Sequence, residues 1–235
     1  MNLRRNIRRV NARRASRRSV LHEWWWRRMM LTNMPAAAPS SDHRFEDPVV
    51  IVLAAGQGRR FVQSGGSGSK LQAQLKGRAV LDHVLAAVQA SGLRWHVVDA
   101  MPAGTGMGDS IAAGVRATPQ ASAWLVLPGD LPLVQAATLV SLAQQLQAAR
   151  PRGIRCVVPQ YGSQRGHPVV FDALCYPALS QLSGEQGAAS VVQALRAAQQ
   201  VQDVPVLDAG VVSDVDTLED LERLARHAGA PAAME

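Results

Sequence analysis

The chain has 235 residues, 47% of them apolar, which is enough to bury a core as one large domain or one domain with an appendage. Its two cysteines, Cys156 and Cys175, match neither a disulfide scaffold nor a Cys/His zinc spacing; they suit a reducing cytoplasm, and no apolar stretch is long enough to span a membrane. The net charge of +7 invites a nucleic-acid reading, but 11 of the 25 basic residues lie in 1–44, opposed only by Glu23 and Asp42. The remaining 14 basic and 16 acidic residues leave 45–235 at about −2, so nucleic acid is not an expected partner of the folded part.

The N-terminal 1–47 is arginine-rich, with little apolar periodicity, and is expected to be disordered. Composition changes abruptly near Pro48, which favours an over-long start with the initiator at Met29, Met30 or Met34. Two other readings are a twin-arginine export signal, which lacks an apolar stretch after "SRRSVL", and a basic arm for RNA or a membrane surface. The folded domain is expected over 48–228, followed by a flexible tail at 229–235.

From Pro48 onward, short apolar strands alternate with amphipathic helices, the pattern of an α/β domain with a mostly parallel sheet. "VVIVLA" (49–54) reads as a buried strand, and "AVLDHVLAAVQASG" as a helix with Leu81, Val84, Leu85 and Val88 on one face and Gly92 as its C-cap. "WHVVDA" (95–100) is the next strand, and "GMGDSIAAGVRA" a helix with Asp109 or Ser110 near its N-cap. "WLVLPGD" (124–130) is a buried strand ending on an aspartate; a helix ("QAATLVSLAQQLQAA"), a strand ("RCVVPQ") and an extended "HPVVFD" come next. Helices are expected in 173–181 and 187–200, then a short strand near 203–207. "VVSDVDTLEDLERLARHA" reads as a strand running into a terminal helix, with Thr217 as N-cap and Asp220 completing a capping box.

Ligands of open α/β sheets sit beyond the carboxyl ends of the strands. Here those ends carry "AAGQGRR", "PGD" and "SDVD". Gly56 and Gly58 allow backbone N–H groups to approach an anion, Arg59 or Arg60 can add a bidentate phosphate contact, and Lys70 a point charge. A dinucleotide fingerprint would need glycine at Phe61, and a P-loop would need glycine at Ser69, so neither applies. Asp130, at a strand end beside Gly129, suits a hard cation shared with phosphates; Asp216 is a second such carboxylate, with Asp214 on the same side of the chain.

"LAAGQGRR", "GMGDSIAAG", "LVLPGDLP", "QRGHPVVF", "LSGEQGAASVVQAL" and "VSDVDTLEDL" together resemble the MobA-like NTP transferase family, in order and over Val49 to Leu224. Ala55 and the R-G-H-P loop lean toward its molybdenum cofactor cytidylyltransferase branch. The resemblance implies a Rossmann-like three-layer open sheet of the nucleotide-diphospho-sugar transferase type. It implies CMP transfer from CTP, in preference to GTP, to a molybdopterin-type cofactor, with a molybdenum hydroxylase apoenzyme as a further partner. The implied nucleotide-binding residues are Leu53, Ala54, Ala55, Gly56, Gly58, Arg59, Lys70, Gly108 and Ser110, with Arg59, Lys70 and Asp130 catalytic. Asp130 and Asp216 are the implied ligands of Mg²⁺ or Mn²⁺, and Arg165, Gly166, His167, Gly184 and Gly187 the acceptor-binding residues.

The sequence departs from that pattern in four places. "FVQSGGSGS" separates the arginines from Lys70, and reads either as a lid that closes on nucleotide or as a break in the site. The stretch from Gly92 to Gly106 is one β-α unit short, Ala189 stands where the family commonly has arginine, and Glu185 replaces aspartate. Two alternatives stay open: an acceptor that is another small phosphate or a sugar phosphate, and a non-catalytic cofactor-binding or insertion partner.

Overall fold

The structure is a computed structural model that describes residues 47–227 apart from Gln57 and Ala103. The expectations for the arginine-rich segment up to Glu46 and for the C-terminal tail lie outside the described residues.

Nine strands are described: β1 (Val49–Leu53), β2 (Gln74–Leu75), β3 (Arg78–Ala79), β4 (Arg94–Val98), β5 (Ala123–Pro128), β6 (Cys156–Tyr161), β7 (Gln164–Arg165), β8 (Val169–Asp172) and β9 (Val201–Pro205). Among them run α1 (Arg59–Gln63), α2 (Val80–Ala90), α3 (Met107–Ala117), α4 (Ala136–Ala149), α5 (Tyr176–Leu179), α6 (Ala189–Ala197) and α7 (Leu218–His227). Seven strands form one sheet in the order β4-β1-β5-β8-β6-β7, with β9 also paired to β6; β2 and β3 form a separate two-stranded ribbon. The β4/β1, β1/β5 and β6/β9 pairs are parallel, and β8 is antiparallel to both β5 and β6.

The continuous apolar runs of β1 and β5 follow from burial on both faces, since successive strand residues point to opposite sides. Val50, Val52, Leu125 and Leu127 pack with Val84 and Val88 of α2, Leu139 and Leu142 of α4 and Leu224 of α7. Val49, Ile51, Trp124 and Val126 pack on the other face with Ile111 and Val115 of α3 and, less fully buried, Val191 and Leu195 of α6. Each fully buried aliphatic side chain contributes about 1.5–3 kcal/mol relative to exposure, so these two layers carry the domain. α3 lies close enough to the sheet that a Cβ on Gly114 would fall 2.5 Å from Ile51 Cγ2. Cys156 and Cys175 are buried free thiols in this layer, and burial pushes Cys175 up to about 11.

Asp109 lies near the N-cap of α3 as expected, at its third position, with Gly106 as the N-cap itself. Two local expectations change. β5 ends at Pro128, two residues before Asp130. The strand expected ahead of α7 is instead a 3-10 turn over Ala209–Val212. Asp208 explains that turn. Its buried carboxylate accepts the Gln135 and Gly210 N–H groups at 2.9 and 2.8 Å and the Thr138 hydroxyl at 2.7 Å, which turns the chain against the start of α4. The capping box of α7 is present: Asp220 accepts from the Thr217 N–H at 2.9 Å, and Thr217 Oγ1 accepts from the Asp220 N–H at 3.2 Å.

α6 is tied to β9 by a bidentate pair, Arg196 to Asp203, at 2.9 and 2.6 Å. Those hydrogen bonds hold the Asp203 carboxyl below its ordinary range. Its folded pKa is thus lower than the unfolded value of about 3.9, so the contribution is complete at neutral pH and is lost as pH falls through the carboxylate range. Asp203→Asn is expected to lower stability by about 1 kcal/mol at pH 7, with the gap from wild type narrowing toward pH 3 in urea denaturation.

Candidate active site

A cleft of about 960 Å³ opens beyond the carboxyl ends of β1 and β5. Its wall begins at the loop after β1. Ala54 N–H donates to Val98 O at 2.8 Å, and Gly58, with φ of +59°, starts α1. A side chain at Gly58 would be strained in that conformation and would crowd Lys70, whose Cγ lies 3.4 Å from the position a Cβ would take.

The insertion before Lys70 is packed against the rest of the domain. Phe61 is buried, and Gly66 lies on its ring, where a Cβ would come within 2.3 Å of a ring carbon. Ser64 Oγ accepts the Leu218 N–H at 2.9 Å, which fastens the excursion to the start of α7. Ser69 Oγ then caps the short turn Lys70–Gln72 through the Leu71 N–H. The extra residues therefore form an anchored loop that returns Lys70 to the cleft.

Lys70 Nζ stands between two carboxylates, 2.6 Å from Asp130 Oδ2 and 2.7 Å from Asp216 Oδ1. Arg60 pairs with the other oxygen of Asp216. Burial disfavours the Lys70 charge, but Asp130 and Asp216 more than offset it and hold the ammonium above its ordinary value of 10.5. The two aspartate loops are joined by their backbones, since Val215 N–H donates to Asp130 O at 2.9 Å. Burial, then repulsion from Asp216, Asp130 and Asp220, raises the Asp214 carboxyl. Asp130 Oδ1 is buried without a hydrogen-bond partner.

These features fit a divalent cation. Two facing carboxylates are already bridged by one positive charge, and a further oxygen lone pair is left unsatisfied. Among the described residues no three His, Cys, Asp or Glu side chains gather into a metal site. A cation here would complete its shell with substrate oxygens, as magnesium does with phosphates.

Opposite, β7 and the turn into β8 supply Arg165, Gly166 and His167. The Gly166 N–H donates to Pro159 O at 2.8 Å and the His167 N–H to Val211 O at 2.9 Å. A Cβ on Gly166 would fall 2.3 Å from Val211 O, so only glycine fits. His167 is half-buried, its Nδ1 is shut from solvent without a partner, and burial holds the imidazole below its ordinary value, hence neutral at pH 7. Arg165 is exposed on the cleft wall with its Nε 3.5 Å from Asp203.

Of the residues singled out from the sequence, Leu53, Ala55, Gly56, Gly58, Arg59, Lys70, Ser110, Asp130, Arg165, Gly166, His167 and Asp216 line this cleft. Ala54, Gly108, Gly184 and Gly187 do not. Ala54 turns its N–H to β4; a Cβ on Gly108 would meet Ser183 O at 2.7 Å and one on Gly187 would meet Met107 Sδ at 2.8 Å, while Gly184 has open space around it and a φ of +74°. Sequence reasoning missed the Arg60–Asp216 pair, which joins residues 156 apart and leaves no local signal. It also missed Thr105 and Met107 on the cleft wall.

A three-layer sheet with a glycine loop, a lysine and paired aspartates at its carboxyl edge defines a nucleotide-binding α/β enzyme of the nucleotidyltransferase class. The model of the MobA-like NTP transferase domain matches residues 50–204, and the chain belongs to that family. A search of curated protein sequences returned no match. Among solved structures, a homologue of Rv0371c from Mycobacterium sp. strain JC1 superposes with a TM-score of 0.60 at 26% identity, covering 77% of this chain and 96% of that one. A nucleotidyl transferase from Methanothermobacter thermautotrophicus gives 0.61 at 19% identity, covering 77% and 96%. Rv0371c from Mycobacterium tuberculosis in complex with manganese gives 0.56 at 22% identity, covering 76% and 97%. No helix among the described residues is long and apolar enough to cross a membrane.

Proposed function

We propose that this protein transfers CMP from CTP to the terminal phosphate of a molybdopterin-type molybdenum cofactor and releases pyrophosphate. The observation that carries this reading is the Lys70 ammonium held between Asp130 and Asp216, beside the glycine loop at the end of β1. A phosphate oxygen of the acceptor attacks the α-phosphorus, the bond from that phosphorus to the β-phosphate oxygen breaks, and pyrophosphate leaves with the electron pair. No protein nucleophile is needed, so the residues act by positioning and by neutralising charge. Gly56, Gly58 and Arg59 receive the triphosphate, and Lys70 supplies a cation to it. Ser110 lies on the wall that takes the nucleoside. Arg165, Gly166 and His167 face the acceptor, and neutral His167 shapes that wall without adding charge. Mg²⁺ or Mn²⁺ held by Asp130 and Asp216 would polarise the phosphates and balance their charge.

A small phosphate or sugar phosphate as acceptor is the second reading. Ala189, at the start of α6 where the family pattern carries arginine, favours it by leaving the acceptor side one cation short.

Pyrophosphate release by the full chain, assayed with Mg²⁺, the molybdenum cofactor and either CTP or GTP, tests the proposal. Release is expected to be at least about tenfold faster with CTP, a difference of roughly 1.4 kcal/mol in transition-state binding. Faster release with GTP would overturn the nucleotide assignment. Release with a sugar phosphate but not with the cofactor would establish the second reading.

A further inference from the structure

Two loops meet at the mouth of the cleft. One carries Gly104, Thr105 and Gly106 into α3; the other, 182–187, presents Glu185 to the cleft. They are joined backbone to backbone, because the Gly108 N–H donates to Gly184 O at 2.8 Å. The contact is close enough that a Cβ on Gly106 would fall 2.3 Å from the Gly184 carbonyl carbon. One carboxylate oxygen closes the arrangement: Asp109 Oδ2 accepts the Gly106 N–H at 2.8 Å and the Gly184 N–H at 3.0 Å. Those two N–H groups keep the Asp109 carboxyl below its ordinary range, so the acceptor is ionised at any working pH. Asp109 itself does not line the cleft.

We propose that Asp109 is a positioning residue that clamps the 182–187 loop onto the nucleotide wall and so holds Glu185 at the acceptor. This rests on the nucleotidyl-transfer reading above. A single oxygen accepting from both loops fixes their separation, whereas the lone Gly108–Gly184 hydrogen bond leaves the loop free to pivot about one contact. Charge-assisted hydrogen bonds are the stronger kind, which suits a clamp made of one side chain. Loss of the clamp should displace Glu185 while the glycine loop, Lys70 and both aspartates stay in place. The defect should therefore appear in acceptor binding more than in nucleotide binding.

The test is a double-mutant cycle on the full chain with Mg²⁺, CTP and the molybdenum cofactor, using Asp109→Ala, Glu185→Ala and the pair. Asp109→Ala is expected to raise the acceptor KM about tenfold, with the CTP KM changing less than about threefold. The double variant should be no worse than the worse single one, because Asp109 acts through Glu185. Asp109→Asn keeps the shape and one oxygen acceptor, so it should recover part of the acceptor KM; it also replaces the alanine variant in the cycle should that variant fail to fold. Multiplying effects in the double variant, or equal rises in both KM values, would overturn the proposal. Wild-type chain that releases pyrophosphate from no nucleotide would instead overturn the nucleotidyl-transfer reading, and the proposal with it. The two failures are thus distinguishable.

Discussion

Asp130→Ala is expected to reduce pyrophosphate release by about 10²–10³-fold or more while leaving the fold intact. The side chain has two roles in the structure: Oδ2 takes one side of the Lys70 ammonium, and Oδ1 is buried with an unfilled lone pair. A divalent cation that shares its shell with phosphates would lose one of two protein ligands, and the remaining Asp216 is already paired with Arg60. The fold should survive because Asp130 joins the two loops through its backbone carbonyl, which accepts from the Val215 N–H and is retained in alanine. Lys70 also keeps Asp216 as a partner. Circular dichroism and thermal unfolding check the fold, and the pyrophosphate assay checks the loss. Turnover near wild type would remove Asp130 from the metal assignment.

Lys70→Met is expected to have two opposite effects. Turnover should fall about 10²–10³-fold, because a cation at the triphosphate is lost. Binding of Mn²⁺ to the nucleotide-free protein should tighten about tenfold, because the ammonium occupies the space between the carboxylates that a divalent ion needs. Without Lys70, Asp130 and Asp216 lose the ammonium that bridges them while Arg60 stays paired to Asp216, and like charges so placed draw in a cation. In wild type the ion must displace a charged group bound at 2.6 and 2.7 Å, so Mn²⁺ should bind well only together with nucleotide. Titration followed by electron paramagnetic resonance, with and without CTP, reads this directly. Equal Mn²⁺ affinity in the two proteins would mean that Lys70 and the metal do not compete. The methionine stem preserves the packing of Lys70 against Gly58, so a folding defect is not expected.

Much of this molecule is legible along the chain. The uninterrupted apolar runs at 49–53 and 123–128 mark strands buried on both faces, and the helical spacing of Leu81, Val84 and Val88 marks the face that covers them. The glycines, arginines and aspartates at strand ends point to the carboxyl edge of the sheet, where the structure gathers them around one cleft. The Thr217–Asp220 box is a short-range hydrogen-bond pattern and can be read where it stands.

What the sequence left open concerns the meeting of segments far apart in the chain. The residues of "FVQSGGSGS" do not reveal whether Lys70 returns to the cleft; that depends on Phe61 finding the core and on Ser64 finding the start of α7, 154 residues away. Asp109 looks like a helix cap until its second partner, Gly184, is brought against it from 75 residues downstream. Gly108, Gly184 and Gly187 look like ligand-cradling glycines, and the structure places them where two loops meet, off the lining of the cleft. Local composition sets periodicity, burial and caps, since these depend on neighbours within a turn or two. Tertiary structure alone decides which charge faces which, because a hydrogen bond or ion pair requires a few ångströms of proximity that sequence separation does not encode.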